Sequence, residues 1–244
     1  MKLVIVGDSW GCGSWSTPEK FLLKGDDYLT TCFTKHYSEV RNNSIGAISN
    51  LDIAASLQTE LHVNSSHDRI LIIQTDPARD FIYFNDTCNI ALKGFFKDNW
   101  DYKQIYNFYV DCFYFKLQNI ATKYNKKINL IGGLSDVDVD RAKKYPSINV
   151  VCDSWIKLLC PEHVPSSYSV SGQVWEAIKE NYLGGSTPDN NHILKCMNDR
   201  DHLMAKYANN FFGKLETKPV WRLDTHPTHK SIEILVNNIH NKLI

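Results

Sequence analysis

An excess of charge of either sign is missing from this chain: Lys+Arg and Asp+Glu each number 27 in 244 residues, and the formal net charge is zero. A nucleic-acid surface would need a basic stripe, so no nucleic-acid partner is expected. The local basic clusters, Lys123 with Lys126 and Lys127, and Arg141 with Lys143 and Lys144, have acids nearby or fall at helix ends. They read as solvated faces. Long apolar runs are missing too. None approaches about 18 residues, so no membrane span is expected. The run Leu3–Val6 between Lys2 and Gly7 is too short for the core of a secretory leader. The expected location is therefore the cytoplasm, unless the chain leaves as part of a virus particle or after lysis. No Cys-x-x-Cys occurs, and Cys12, Cys32, Cys88, Cys112, Cys152, Cys160 and Cys196 are scattered and odd in number. That excludes a zinc ribbon or a thioredoxin-type centre and reads as reduced thiols. Gly7–Gly13 matches neither nucleotide pattern, Gly-x-x-x-x-Gly-Lys or Gly-x-Gly-x-x-Gly, so a phosphate loop has little support. His36, His192 and His202 lack metal-ligand spacing, and the acids of Asp136–Asp140 lack the rest of a calcium loop. No metal or cofactor is implied.

What is present fits a soluble α/β protein. Hydrophobic residues are 43% and charged residues 22% of the chain. A chain this long buries roughly 70–75% of the surface its unfolded form exposes, enough for a core without staples. Consecutive apolar runs at Leu3–Val6, Arg69–Gln74, Ile128–Gly132 and Ile148–Val151 suit strands buried on both faces of a parallel sheet, with a weaker strand near Tyr37–Arg41. Helical patterns fall between and after them: Leu51–Leu61 behind Asn50 as N-cap, Tyr102–Tyr124, His192–Phe212 and Lys230–Leu243. Phe108, Tyr109, Phe113, Tyr114 and Phe115 form an aromatic stripe at helical spacing, expected to pack in the core. Strands alternating with helices predict a parallel sheet covered on both sides. With no repeat and no low-complexity linker, residues 1–244 read as one domain. A helical or loop insertion is expected around 160–212, where the turn-rich stretches Cys160–Gly172 and Leu183–Asn191 could close over a site.

Two short segments carry chemistry. Gly7-Asp8-Ser9-Trp10-Gly11 directly follows the first strand, and ligands of open α/β sheets bind beyond the carboxyl ends of strands. Flanking glycines permit a tight turn that exposes a hydroxyl. The plainer alternative is that Asp8 or Ser9 caps a helix. Asp224-Thr225-His226-Pro227 precedes the last helix. A serine hydroxyl is a poor nucleophile until a histidine takes its proton, and the histidine needs a carboxylate to fix its tautomer. Here the plainer alternative is loop histidines, His226 and His229, beside a capping Asp224.

Taken together, a serine after the first strand and an Asp–His pair before the last helix resemble the SGNH (GDSL-type) serine hydrolase family, in order and spacing over the whole chain. The resemblance implies a three-layer α/β/α sandwich with a flavodoxin-like parallel sheet of about five strands. It also implies catalytic Ser9, His226 and Asp224, and an oxyanion hole from the Ser9 N–H, the Gly46 N–H in the second block (Asn42–Asn50), and Thr75. The chain departs from the family in two places. The third block, usually Gly-x-Asn-Asp, reads Gln74-Thr75-Asp76-Pro77-Ala78-Arg79. Either Asp76 matches the family's Asp and Thr75 stands in the Asn position, which is the favoured alignment, or Asp76 replaces the Asn and would repel an oxyanion. Asp76-Pro77 also reads as a helix start. The last block has Asp-x-His in place of Asp-x-x-His, a short form carried by superfamily relatives acting on polysaccharide acyl groups, and His229 is the substitute for His226.

Asp8, Trp10, Asp76 and Arg79 are candidate pocket residues; Trp10 and Trp15 adjoin the nucleophile and either floor a sugar or acyl pocket or pack in the core. The activity implied is hydrolysis of an O-acyl ester, with O-acetyl groups on a carbohydrate favoured by the Asp-Thr-His form and the tryptophans. The partner is then a small-molecule or glycan ester. The rival reading is a catalytically weak module of the same fold that binds a glycan or serves a structural role in a virus particle.

Overall fold

The computed structural model describes residues 1–12, 27–46, 48–81, 98, 100–133, 135–159, 212–214 and 223–244, with the backbone alone at 78, 102, 212–214 and 223–226. Residues 160–211 of the expected insertion (160–212), with its helix His192–Phe212 up to Phe211, and Trp15 lie outside the described residues; Phe212 itself is on a strand, not the end of a helix.

Five strands form one all-parallel sheet: β1 (Lys2–Gly7), β2 (Glu39–Asn42), β3 (Arg69–Gln74), β4 (Ile128–Gly132) and β5 (Ile148–Cys152), in the order β2-β1-β3-β4-β5. Among the described residues the helices are α1 (Tyr28–Phe33), α2 (Asn50–Val63), α3 (Tyr102–Tyr124), α4 (Val139–Ala142), α5 (Trp155–Leu159) and, after a small antiparallel pair of β6 (Phe212–Lys214) and β7 (Leu223–Pro227), α6 (His229–Ile239). Successive strand residues point to opposite faces, and the two cores follow that alternation. Leu3, Ile5, Leu71, Ile73 and Ile131 pack against α1, α5 and α6 on one side. Val4, Val6, Ile70, Ile72 and Leu130 pack against α2, α3 and α4 on the other. Both faces of the sheet are covered, which is why its central strands are apolar without interruption. The result is the three-layer α/β/α architecture.

Three expectations need correction. The cap of α2 is Ser49, not Asn50: Ser49 Oγ accepts the Asp52 N–H and the Asp52 carboxylate accepts the Ser49 N–H, a reciprocal capping box. The aromatic stripe of α3 is only partly core, because Phe108 is 42% and Phe115 59% exposed while Tyr109, Phe113 and Tyr114 are buried. The last helix ends at Ile239, followed by a 3-10 turn, His240–Lys242. Among the described residues no helix is long and apolar enough to cross a membrane.

The C-terminus is fixed to the amino-terminal edge of the sheet. Asn129, fully buried near the start of β4, accepts the Ile244 N–H at 3.0 Å and donates to the Ile244 carbonyl at 3.0 Å. Arg69, at the start of β3, donates to the Leu243 carbonyl at 3.1 Å. With its C-terminal end held there, α6 runs antiparallel to the strands. At about 1.5 Å per residue an 11-residue helix spans about 16 Å, and a strand of five residues spans about 16 Å at about 3.3 Å each. The start of α6 therefore lies level with the carboxyl ends of the strands.

Candidate active site

In an open sheet of order 2-1-3-4-5 the strand order reverses between β1 and β3, and the crevice forms at their carboxyl ends. The segments after β1 and β3 meet there. Behind β1 the chain turns at once: the Gly11 N–H donates to the Asp8 carbonyl at 3.0 Å, and the Cys12 N–H to the Ser9 carbonyl at 3.3 Å. Asp8 holds the turn. Its Oδ1 accepts the Trp10 N–H at 3.0 Å, its Oδ2 accepts the Thr75 hydroxyl at 2.6 Å, and Arg79 lies 3.4 Å from the same oxygen. Two glycines let neighbouring chain come this close. A Cβ on Gly7 would stand 2.9 Å from Ile73 Cβ, and one on Gly11 would overlap the Ser44 hydroxyl.

The segment after β2 continues alongside the end of β1. The Asn43 N–H donates to the Ile5 carbonyl at 2.9 Å and the Ile45 N–H to the Gly7 carbonyl at 3.0 Å, which brings Gly46 beside the turn. Among the described residues the Gly46 N–H has no acceptor. Asn42 ties this loop to the turn and to α1, donating to the Gly11 carbonyl at 2.8 Å and to Asp27 at 3.0 Å while accepting the Ser44 N–H. Next to Asp27, the Tyr28 ring stacks on His229 with centroids 3.9 Å apart. Gly11, Asn42, Asp27, Tyr28 and His229 thus form a continuous chain of neighbours from the first turn to the first residue of α6.

The sequence-derived candidates are distributed unevenly. Ser9 is 6% exposed within the turn, and Gly46 is next to it. Asp224 and His226 fall on β7, whose pairing with β6 shifts register between Phe212 and Lys214. Their side chains lie outside the described residues. His229, the substitute base, is packed against Tyr28. Asp76 and Pro77 open a 3-10 turn, Pro77–Asp80, as a helix start would. Two roles need correction. Thr75 has no donor left for an oxyanion: its hydroxyl proton goes to Asp8, and its N–H goes to Asn50 Oδ1 at 3.0 Å. Trp10 is a core residue, 2% exposed and edge-on to Trp155 at 5.3 Å, and not a pocket wall.

Two residues that sequence reasoning missed join α2 to the turn after β3. Asn50 is 1% exposed and takes both backbone groups of Thr75, accepting its N–H and donating to its carbonyl at 3.2 Å. Asp80 returns the contact, its Oδ1 accepting the Leu51 N–H at 2.9 Å. The capping-box pattern Ser49-x-x-Asp52 was the available signal, since it assigns the cap to Ser49 and leaves Asn50 for another task. Burial pushes the Asp80 carboxyl up to about 6, against hydrogen bonds from Leu51, Ser49 and Asn50 that favour the anion.

A carboxyl with a raised folded pKa binds its proton more tightly in the native state. Its contribution is full below the ordinary value of 3.8 and is lost as pH rises through about 6. Asp80→Asn, which keeps the acceptor for Leu51, is expected to gain roughly 2 kcal/mol at about pH 7.5 and little near pH 4. Urea melts of both proteins at the two pH values measure this, and a gain independent of pH would contradict it.

No family model and no curated protein sequence matches the chain. Among solved structures it is similar to a lipase/acylhydrolase from Enterococcus faecalis, at 14% identity over 100% of this chain and 97% of the other, TM-score 0.43. It is similar to TesA at 12% identity, covering 99% and 97%, TM-score 0.40. It is also similar to an alpha/beta hydrolase enzyme from the metagenome of Lake Arreo, Spain, at 13% identity, covering 97% and 92%, TM-score 0.40.

Proposed function

We propose that this chain is a serine esterase of the SGNH (GDSL-type) kind, with Ser9 as nucleophile, His226 as general base and then general acid, and Asp224 orienting the histidine. The observation that supports it best is the convergence of the two ends of the chain on one edge of the sheet. The turn carrying Ser9 and the start of α6, three residues past His226, are linked through Asn42, Asp27 and the stacked pair Tyr28 and His229. In the reaction the Ser9 hydroxyl loses its proton to His226 and attacks the ester carbonyl. The Ser9 and Gly46 N–H groups hold the oxyanion, the protonated His226 then protonates the departing alcohol, and a water that gives its proton to His226 attacks the acyl-serine to release the acid and restore the Ser9 hydroxyl. Each such donor is worth roughly 2.7–4 kcal/mol in an oxyanion hole. With Thr75 committed to Asp8, the third donor of the family pattern is missing from that position.

The substrate we propose is an O-acetyl ester on a carbohydrate. With Trp10 in the core, this finer reading leans on Asp224-Thr225-His226. The engaged Thr75 hydroxyl favours one rival, a catalytically weak glycan-binding or structural module of the same fold. A fluorophosphonate probe separates the two. At neutral pH it is expected to label Ser9, located by peptide mass spectrometry, and to leave Ser9→Ala unlabelled. A wild-type protein that stays unlabelled favours the binding module.

A further inference from the structure

We propose that Arg79 is a positioning residue whose charge neutralises the buried Asp8 carboxylate while an oxyanion develops on the substrate carbonyl that the adjacent serine attacks. The inference rests on the reading of Ser9 as nucleophile. Asp8 precedes Ser9 directly, and its side chain is 4% exposed. Two of its partners, the Trp10 N–H and the Thr75 hydroxyl, are dipoles; Arg79 alone among its described partners brings a full positive charge. The pair bridges the switch point, Asp8 following β1 and Arg79 lying in the first turn after β3.

The chemistry makes this pairing matter. As the Ser9 oxygen bonds to the carbonyl carbon, its proton moves to His226 and the carbonyl π electrons move to the oxygen held by the Ser9 and Gly46 N–H groups. An uncompensated carboxylate one residue away would oppose that new charge, and the opposition grows as the local dielectric falls. The ion pair cancels it before the reaction starts, which is electrostatic preorganisation acting through a residue that need not touch the substrate. It also accounts for a buried acid persisting beside a site that must accept negative charge. A buried carboxylate that loses its cation is costly by itself.

A double-variant comparison tests this. Arg79→Gln is expected to slow fluorophosphonate labelling of Ser9, and kcat on an aryl acetate, by at least about tenfold with KM nearly unchanged. Adding Asp8→Asn removes the charge that Arg79 balances, so the D8N/R79Q protein is expected within about threefold of D8N alone. Arg79→Lys keeps the charge and is expected to stay within about threefold of the wild type, which covers the case of an R79Q protein that does not fold. A double variant as slow as the product of the two singles overturns the inference, because Arg79 would then act on the substrate or merely brace the fold. A Lys variant as slow as the Gln variant overturns it as well. A wild-type protein that resists the probe overturns the Ser9 reading and this inference together. Normal wild-type labelling with an unaffected R79Q protein overturns this inference alone.

Discussion

Replacing His226 with alanine is expected to lower kcat/KM for an aryl acetate by roughly 10⁴-fold, while His229→Ala changes it by less than about threefold. The contrast follows from the two environments. If His226 is the proposed base, its removal leaves Ser9 with no group to take its proton, and only the proposed oxyanion donors and substrate binding remain to accelerate the reaction. His229, by comparison, opens α6 with its ring stacked on Tyr28, whose hydroxyl donates to Glu233 one turn further on. Losing that stack loosens the junction of α1 and α6 without removing a proton acceptor. Steady-state kinetics of the two variants measure the difference. Equal losses, or a larger loss at His229, would move the base from one histidine to the other.

The second large effect concerns stability, at the buried carboxylate of α2. Glu60→Ala is expected to cost about 3–5 kcal/mol, a fall in Tm of about 10 °C. Glu60 is 6% exposed and His67 fully buried. Glu60 Oε1 accepts from His67 Nε2 at 2.9 Å and pairs with Arg41 at 3.3 Å; Oε2 accepts the Asn43 amide at 2.6 Å. A carboxylate only accepts, so the proton of that contact belongs to His67 Nε2. Deleting the side chain leaves a buried imidazole and an amide without their acceptor, and an unmade buried hydrogen bond costs more than a made one contributes. Burial by itself would raise the Glu60 pKa; hydrogen bonds from His67 and Asn43 and the charge of Arg41 outweigh it, and the net direction is down from 4.5. For a depressed carboxylate the stabilisation is present above the ordinary value and is lost as pH falls through the lowered one. The gap between wild type and Glu60→Ala is therefore expected to be widest above about pH 5 and to narrow in acid. Thermal melts across that range measure it, and a gap that widens in acid would contradict the account.

Asn43 links this cluster to the candidate site. Its side chain holds Glu60 while its backbone N–H extends the pairing of β1 and β2 toward Gly46. Damage to the cluster should therefore reach the loop that carries the proposed oxyanion donor.

Much of the architecture was legible because it depends on local pattern. Strands buried on both faces leave consecutive apolar residues, and Leu3–Val6, Arg69–Gln74 and Ile128–Gly132 stand out for that reason. The edge strand β2 was faint because it pairs on one side and alternates exposed Glu39 and Arg41 with half-buried Val40 and Asn42. The sequence pattern predicts helix α3 over Tyr102–Tyr124, the bounds observed, and its ends carry local signals: an Asp101–Gln104 capping box and a left-handed Asn125.

The site was legible only where its residues announce themselves in short order, as in Gly7–Gly11. The acceptor of the Thr75 hydroxyl is 67 residues away along the chain, and nothing near Thr75 names Asp8. The cap expected at Asn50 fails for a related reason. An asparagine before a helical pattern is a good cap on propensity, and its bond to Thr75 exists only once α2 is docked beside β3. That Trp10 is core and not pocket likewise depends on Trp155, which meets it through the fold.

A crystal structure of the protein after reaction with a fluorophosphonate tests the central claim most directly. Phosphorus is expected bonded to Ser9 Oγ, with a His226 ring nitrogen within about 3.2 Å of that oxygen or of the phosphonyl group. A phosphonyl oxygen is expected to face the Ser9 and Gly46 N–H groups. An adduct on another residue, or His226 turned away from Ser9 on the far side of β7, would contradict it.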